Sequence, residues 1–147
     1  MKHYIICIIL FVMSCEKKDN SVVLKTKFGI IKIELYPKQA PISVTNFLKY
    51  INENRYKDFY FYRTVNLQNQ PNDNIKIEVI QGGLGLDKHQ MSLDPIKHEN
   101  TNITGLKHID GSISMARIEP GSADSEIFIC INNQPELDFG GKRNSDG

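Results

Sequence analysis

The alternation of apolar and polar residues predicts a two-stranded hairpin near the start of the folded part of the chain. Residues 22–28 and 30–36 each alternate in this way on either side of a glycine. In the second run, Ile31, Ile33 and Leu35 fall on one face, and the residues between them are charged. Because successive side chains of a strand point to opposite faces, the pattern is typical of a hairpin with one face in water.

A helix is predicted next, because the spacing of apolar residues lengthens. One stripe of a helix of about four turns would hold Val44, Phe47, Leu48 and Ile51, at i, i+3, i+4 and i+7. Pro41 can open such a helix, since the first helical residue needs no N–H partner.

Further short runs predict strands that are separated by a polar loop. Residues 59–63 are dense in aromatic side chains, and Ile75, Ile77 and Val79 alternate with charged residues ahead of two glycines. Between these strands, residues 66–74 hold four Asn, two Gln and one Pro, which is typical of a loop. The chain then shows no strong period from Leu84 to Asp110 and is predicted to be mostly loop, without internal repeats.

Two β-prone runs that flank a turn-rich loop occupy residues 111–133. The loop contains a Pro-Gly pair that cannot continue either strand. In the second run, Ile127, Ile129 and Ile131 share one face, which predicts a core face. Phe128 lies on the opposite face beside a carboxylate. Two interpretations of it stay open: a second buried layer, or a shallow apolar pocket with a polar rim.

Composition describes an ordinary globular protein of one domain. The chain has 147 residues, of which 40% are hydrophobic and 24% charged, so it can bury a substantial core. Its formal net charge is +1. Such a balance provides no basic stripe, and a nucleic-acid partner is therefore not expected.

The first 14 residues are predicted to be a signal peptide. Lys2 supplies a positive start, and residues 4–13 form an almost unbroken apolar run. This run is too short to span a hydrocarbon core of ~30 Å, but it suits the apolar region of a signal peptide. The following Val-Met-Ser-Cys resembles a bacterial lipobox, which implies cleavage before Cys15 and lipid on that residue. An ordinary cleaved secretion signal is the alternative.

The resulting organisation is a tethered domain. Residues 15–21 would be the lipidated cysteine and a polar tether, and residues 22–147 the folded domain. We expect it at the bacterial cell envelope, facing the periplasm or the exterior, with membrane contact only through the lipid anchor.

Cysteine and histidine usage is consistent with this organisation. Cys7 would leave with the signal peptide and Cys15 would carry lipid, so only Cys130 remains and a disulfide framework is excluded. We interpret Cys130 as a small apolar strand residue rather than a nucleophile, because no His–acid pair is recognisable beside it. The histidines of the folded part lack metal-ligand spacing, and neither a metal nor another cofactor is expected.

Several motifs, taken in their order along the chain, resemble those of the cyclophilins. Residues 114–117 (Ser-Met-Ala-Arg) and 125–129 (Ser-Glu-Ile-Phe-Ile) resemble the family's Ser-Met-Ala-(Asn/Arg)…Ser-(Gln/Glu)-Phe-Phe-Ile core. Residues 61–63 (Phe-Tyr-Arg) resemble its Phe-His-Arg, and residues 79–83 (Val-Ile-Gln-Gly-Gly) its Met-x-Gln-Gly-Gly. Cyclophilins are peptidyl-prolyl cis-trans isomerases. Several separated matches in one order are more specific than a single short motif.

The resemblance implies a mainly β fold, an antiparallel cyclophilin-like β-barrel with a capping helix. It would be incomplete at its C-terminal end, because the family continues into further strands and a second helix where this chain stops at Gly147. Arg63 and Gln81 are also 18 positions apart, farther than in most cyclophilins. We therefore interpret residues 66–74 as an insertion at the rim of the site.

The resemblance also implies the site residues. Arg63 would be catalytic, because its guanidinium would meet the prolyl nitrogen as that atom regains its lone pair in the twisted transition state. The substrate-binding residues would be Val79, Gln81, Met115, Ala116, Arg117, Glu126, Phe128 and Leu137. Among them, Val79, Phe128 and Leu137 would form a socket for the proline ring, and the side-chain amide of Gln81 would bind the substrate backbone.

Other matched positions would support the substrate or alter the site. Met115 would support the socket from behind, and the main chain of Ala116 and Arg117 would pair with an extended peptide. Glu126 replaces the more usual Gln of the family. As an anion it would either clamp Arg63 in a charge-assisted pair or compete with the substrate for it, and both alternatives stay open.

Taken together, the resemblance implies a peptidyl-prolyl cis-trans isomerase, and we expect the protein to be a monomer. Its partners would be proline-containing polypeptides, exported and unfolded or extended. Two alternatives are a proline-binding or chaperone-like module without turnover, and an inactive truncated fragment.

Overall fold

The structure is a computed structural model that describes residues 20–85, 87 and 89–147. The predicted signal peptide and the predicted lipid attachment at Cys15 lie outside these residues. No helix in the described part is long and apolar enough to cross a membrane.

Two compact units make up the chain, one ending at Glu34 and the other beginning at Leu35. In the first unit, β1 (Ser21–Thr26) and β2 (Gly29–Glu34) pair as an antiparallel hairpin. Ile33 is buried and Ile31 half-buried, whereas the charged residues beside them are exposed. The predicted alternation is confirmed.

The second unit begins with the predicted helix, α1 (Pro41–Asn52), which has 12 residues. Its first N–H groups have no partner inside the helix. Glu99, from a distant loop, supplies the missing acceptors: the N–H groups of Ile42 and Ser43 donate to its two carboxylate oxygens at 3.0 and 2.7 Å. A carboxylate at this end also matches the helix dipole.

The buried face of α1 differs in part from the predicted stripe. Its buried residues are Val44, Asn46 and Tyr50, and the other three stripe residues are only half-buried. Asn46 Nδ2 donates to the carbonyl of Asp124 at 2.5 Å, and Tyr50 Oη accepts the N–H of Leu93 at 2.7 Å. Asn46 and Tyr50 are therefore buried because of polar partners in distant loops, which apolar spacing does not indicate.

A four-stranded antiparallel sheet forms the centre of this unit. Its strands are β3 (Tyr60–Val65), β4 (Val79–Gly83), β5 (Ile113–Met115) and β6 (Ile127–Cys130), in the spatial order β3-β4-β6-β5. The remaining helices are short: α2 (Thr101–Thr104) and two 3-10 helices, Arg55–Asp58 and Pro135–Leu137. Every strand pairing among the described residues is antiparallel, and the predicted mainly β class is confirmed.

Strand β4 begins later than predicted. The alternation from Ile75 onward is not a strand, because a side chain takes the backbone groups that a neighbouring strand would need. The N–H of Ile77 donates to Gln70 Oε1 at 3.2 Å, and its carbonyl accepts from Gln70 Nε2 at 2.8 Å. Pairing with the sheet starts at Val79.

Strand β6 is buried on both faces. Ile127 and Cys130, on opposite faces, are 2% and 0% exposed, so the predicted core face is right for Ile127. It is wrong for Ile131, which is 37% exposed and follows the last strand residue. Burial raises the pKa of the Cys130 thiol to about 12. The thiol is therefore protonated at neutral pH, in agreement with the predicted structural role.

Candidate active site

Three predicted site residues lie side by side in one row across the sheet. Arg63 on β3 is opposite Gln81 on β4, and Gln81 is opposite Phe128 on β6. Ser114 on β5 completes the row opposite Phe128. Directly opposed residues on antiparallel strands have Cβ atoms ~4.5–5.5 Å apart, close enough for their side chains to interact.

The predicted proline socket is assembled next to this row. Val79 and Leu137 are buried and pack with Val65, and Phe128 and Ile77 pack against that cluster. Leu137 comes from the short 3-10 helix after β6. The three socket residues expected from the resemblance are therefore in one apolar cluster, although they are far apart in the sequence.

A cavity of about 780 Å³ opens over the row and the socket, a volume typical of small-molecule sites. All nine predicted site residues line it: Arg63, Val79, Gln81, Met115, Ala116, Arg117, Glu126, Phe128 and Leu137. The N–H of Ala116 already donates to the carbonyl of Glu126 at 2.8 Å. The expected main-chain contact between Ala116 and a substrate peptide would therefore be made by the Ala116 carbonyl.

Arg63 is exposed, and Gln81 holds it from below. Arg63 Nη1 donates to Gln81 Oε1 at 3.2 Å, and the Gln81 side chain is buried. The other end of the amide is also occupied, since Gln81 Nε2 donates to Tyr62 Oη at 2.7 Å. The amide therefore has one defined orientation, with its oxygen toward the guanidinium.

Tyr62 is a site residue that the sequence analysis missed. Both Tyr62 and Arg63 contact the same Gln81 side chain. In a regular strand this would not be possible, because neighbouring side chains point to opposite faces. The register between β3 and β4 shifts between Phe61 and Arg63, so Tyr62 is the extra residue of a β-bulge. The available indication was its place in the Phe-Tyr-Arg motif, where cyclophilins have His.

Glu126 is buried under the site and fully hydrogen-bonded. Its carboxylate accepts from Tyr62 Oη (2.6 Å), Ser125 Oγ (3.0 Å) and the N–H groups of Leu84 (2.7 Å) and Gly85 (3.1 Å). Among the described residues, Glu126 makes no direct ion pair with Arg63. The two are connected through Tyr62 and Gln81. Burial, followed by the hydrogen bond and the charge of Glu126, raises the pKa of Tyr62 well above its ordinary value.

The two glycines of β4 make room for these contacts. A Cβ atom on Gly83 would overlap the carboxylate of Glu126, and one on Gly82 would lie 2.8 Å from both the Phe61 ring and the Tyr60 carbonyl. Side chains from both sides of β4 can therefore cover this strand only at its two glycines, which have no side chain.

His108 is a second residue that sequence analysis did not place at the site. It is buried, and its ring stacks on Phe128 with a centroid distance of 5.7 Å and an interplanar angle of 16°. Its Nδ1 and its backbone N–H each lie 3.0 Å from Asp138 Oδ1. Burial lowers the pKa of His108, against the opposing effect of Asp138. No local pattern distinguished it from the other loop histidines.

Comparison with known proteins identifies the same family as the motifs. The family model for cyclophilin type peptidyl-prolyl cis-trans isomerase/CLD matches residues 21–143. The chain is 38% identical over 117 residues to the peptidyl-prolyl cis-trans isomerase of Acinetobacter baylyi, covering 77% of this chain and 55% of that protein.

Two further relatives agree. Peptidyl-prolyl cis-trans isomerase A of Dickeya dadantii is 36% identical over 124 residues, covering 83% of this chain and 60% of that protein. Peptidyl-prolyl cis-trans isomerase-like 3 of Gallus gallus is 36% identical over 122 residues, covering 81% and 70%. The chain thus spans 55% and 60% of the length of the two bacterial relatives. With the family model matched over most of its length and the motif residues gathered around one cavity, the chain belongs to the cyclophilin-type peptidyl-prolyl cis-trans isomerase family.

Proposed function

We propose that the protein is a peptidyl-prolyl cis-trans isomerase that accelerates rotation about X–Pro bonds in exported, unfolded or extended polypeptides. One observation carries the proposal: the exposed Arg63 and Phe128 of the apolar socket lie in a single row of the sheet. Arg63 and Phe128 flank Gln81 on either side. A proline ring in the socket would therefore place its nitrogen within reach of the guanidinium.

Arg63 acts on the electronic change that accompanies rotation. Twisting the X–Pro bond breaks the amide resonance, with a barrier of ~18–20 kcal/mol. In the twisted state the prolyl nitrogen regains a lone pair and becomes a better hydrogen-bond acceptor. Gln81 occupies one N–H of Arg63, and the guanidinium has further donors to offer to that nitrogen. A bond that is stronger in the transition state than in the ground state raises the rate.

The socket supplies affinity and a fixed point. Val79 and Leu137 are buried and Phe128 is half-buried, so together they present an apolar surface to the ring. Ring contact is the same before and during rotation, and it therefore strengthens binding without favouring the transition state. Holding the ring still lets the peptide on the other side of the bond turn. No covalent bond forms or breaks, so the reaction needs no nucleophile.

Isomer exchange in a short Ala-Pro peptide tests this function. We expect the full chain, purified in mild detergent, to increase the cis-trans exchange rate of the peptide measured by two-dimensional exchange NMR. A Phe128→Ala variant should weaken binding, since the apolar contact of a large side chain contributes ~1.5–3 kcal/mol. Peptide resonances that shift on binding while exchange stays at its uncatalysed rate would instead identify a proline-binding module.

We also propose that the protein is anchored to the cell envelope through lipid on Cys15. The support is the apolar run that ends at a lipobox-like Val-Met-Ser-Cys. A Cys15→Ser variant should be released in soluble form or fail to be processed, whereas a Cys7→Ser variant should stay with the membranes. Membrane association and mobility unchanged by Cys15→Ser would contradict the anchor.

A further inference from the structure

Two positions at which the chain departs from the cyclophilin motifs contact each other. Tyr62 stands where the motif has His, and Glu126 where it more often has Gln; Tyr62 Oη and Glu126 Oε2 are 2.6 Å apart. Tyr62 lies in β3 and Glu126 immediately precedes β6, and these two strands pair with opposite sides of β4. They meet over Gly83, where any side chain would overlap the carboxylate.

We propose that Tyr62 and Glu126 act as one positioning unit, which sets the orientation of the Gln81 amide and thereby holds the guanidinium of Arg63. This inference rests on the proposed function for its consequence in turnover. Its geometry does not depend on that function: three consecutive hydrogen bonds of 2.6, 2.7 and 3.2 Å connect Glu126 to Tyr62, Tyr62 to Gln81, and Gln81 to Arg63.

The direction of every bond in this series follows from the carboxylate. An ionised carboxylate only accepts, and a phenol has a single proton. Tyr62 must therefore donate to Glu126, and its oxygen is left to accept from the NH₂ group of Gln81. The amide oxygen of Gln81 is then the atom that faces Arg63, which can only donate. A neutral amide at position 126 would remove this constraint, because it both donates and accepts.

The starting point of the series is rigid. The Glu126 side chain is 8% exposed, and three donors other than Tyr62 hold its carboxylate: Ser125 Oγ and the N–H groups of Leu84 and Gly85. Arg63, by contrast, is exposed and has a long, flexible side chain. Its order depends on the acceptor that Gln81 presents. Through Tyr62 and Gln81, the fixed Glu126 carboxylate thus limits the motion of the exposed Arg63 guanidinium.

Three variants test the unit by turnover: Tyr62→Phe, Glu126→Gln and the double variant. Each single change should lower kcat about tenfold and leave KM within about twofold, because a misplaced donor affects the transition state most. If the two residues act together, the double variant should also lose only about tenfold, whereas independent effects would multiply to about a hundredfold. Tyr60→Phe is the matched control: it changes an exposed tyrosine of the same strand and should retain the parental kcat.

A second readout is independent of turnover. We expect the Nε–H resonance of Arg63 to show restricted motion by NMR relaxation in the parent, and increased motion in Tyr62→Phe but not in Tyr60→Phe. If the parent lacks turnover but shows this change, the positioning unit is supported and the proposed function fails. If the parent isomerises the peptide and Tyr62→Phe matches it in both kcat and Arg63 motion, the unit is overturned and the function stands. A hundredfold loss in the double variant would also overturn it.

Discussion

Two buried glutamines, one in the β3–β4 loop and one in β4, use their amides in different ways. Gln70 lies in the loop between β3 and β4, and Gln81 lies in β4; they are 5% and 8% exposed. Among the described residues, the amide of Gln70 bonds only to backbone: it donates to the carbonyls of Asn66 and Ile77 at 2.7 and 2.8 Å and accepts the N–H of Ile77 at 3.2 Å.

Within the part of the chain that the structure describes, the amide of Gln81 bonds only to side chains, those of Arg63 and Tyr62. A side chain that satisfies backbone groups holds a segment of chain in place, because those groups would otherwise lack partners. A side chain that bonds to other side chains instead determines where functional groups point. Burial alone does not distinguish the two roles; the identity of the partners does.

The loop itself shows the structural role. Residues 66–74 were predicted to be a polar insertion at the rim, and the structure gives them a hydrogen-bonded interior around Gln70. Lys76 Nζ also donates to the carbonyl of Leu67 at 2.8 Å, and Asp73 forms an ion pair with Arg143. The loop is therefore attached at several points to the residues that follow it.

The largest stability effect should come from Gln70→Leu. Both backbone groups of Ile77 lose their partner, and the Asn66 carbonyl keeps the N–H of Asn69 at 3.3 Å. We expect the free energy of unfolding to fall by ~2–4 kcal/mol, a large part of the ~5–15 kcal/mol typical of a domain. Turnover per folded molecule should stay close to the parent. Urea unfolding and peptide exchange measure the two quantities, with Gln68→Leu, a change at an exposed loop residue, as control. A loss no larger than in that control would contradict the structural role.

Gln81→Leu should show the opposite pattern. No backbone group of the described residues loses a partner, Tyr62 keeps its bond to Glu126, and the exposed Arg63 can turn to water. The free energy of unfolding should therefore change by less than ~1 kcal/mol. We expect kcat to fall about tenfold, equivalent to ~1.4 kcal/mol in the barrier. The comparison between the two glutamines fails if Gln81→Leu unfolds more easily than Gln70→Leu.

The smallest effect concerns His108, which contacts the socket rather than Arg63. Burial lowers its pKa in the folded state, so the unfolded chain takes up the proton first as the pH falls. The stability contributed by neutral His108 is therefore complete above pH ~6.5 and declines as the pH drops through the lowered folded pKa. For Asp138, burial acts to raise the pKa, but the two hydrogen bonds from His108 and the charge of Lys107 bring it below its ordinary value, so this carboxylate titrates in a more acidic range.

His108→Phe keeps an aromatic ring against Phe128 and removes the titration. Between pH 7.5 and 5.5 the parent should lose more stability than this variant, by less than ~1 kcal/mol. Urea midpoints at the two pH values measure the difference, and the other histidines cancel because both proteins contain them. Equal slopes in the two proteins would argue against a titrating His108.

The sequence predicted correctly those features of the fold that depend on residues close together in the chain. Apolar spacing correctly located the hairpin and α1, because the residues that produce the pattern are close in the chain. It missed Asn46 and Tyr50 as buried residues, because their hydrogen-bond partners are 78 and 43 positions away. The same spacing extended β4 too far, since nothing local indicates that Gln70 takes the backbone groups of Ile77.

The site divides in the same way. Motif order was enough to name nine residues that line one cavity, because the family pattern encodes their shared location. The positioning of Arg63 was not predictable, because it depends on a bulge at Tyr62 and on a contact between residues 64 positions apart. Two departures from the motif were visible separately; only the fold shows that they touch.

The central claim is that Arg63 accelerates rotation while the socket binds the ring. Its most direct test is exchange NMR of an Ala-Pro peptide at saturating concentration with the parent, Arg63→Lys and, as a control, Arg55→Lys, which changes an arginine paired with Glu53. Lysine keeps the charge but loses the planar set of donors. We predict exchange about a hundredfold slower for Arg63→Lys, the usual effect of removing one preorganised donor, with the peptide Kd within about threefold and Arg55→Lys unchanged. Equal exchange rates for Arg63→Lys and the parent would contradict the account.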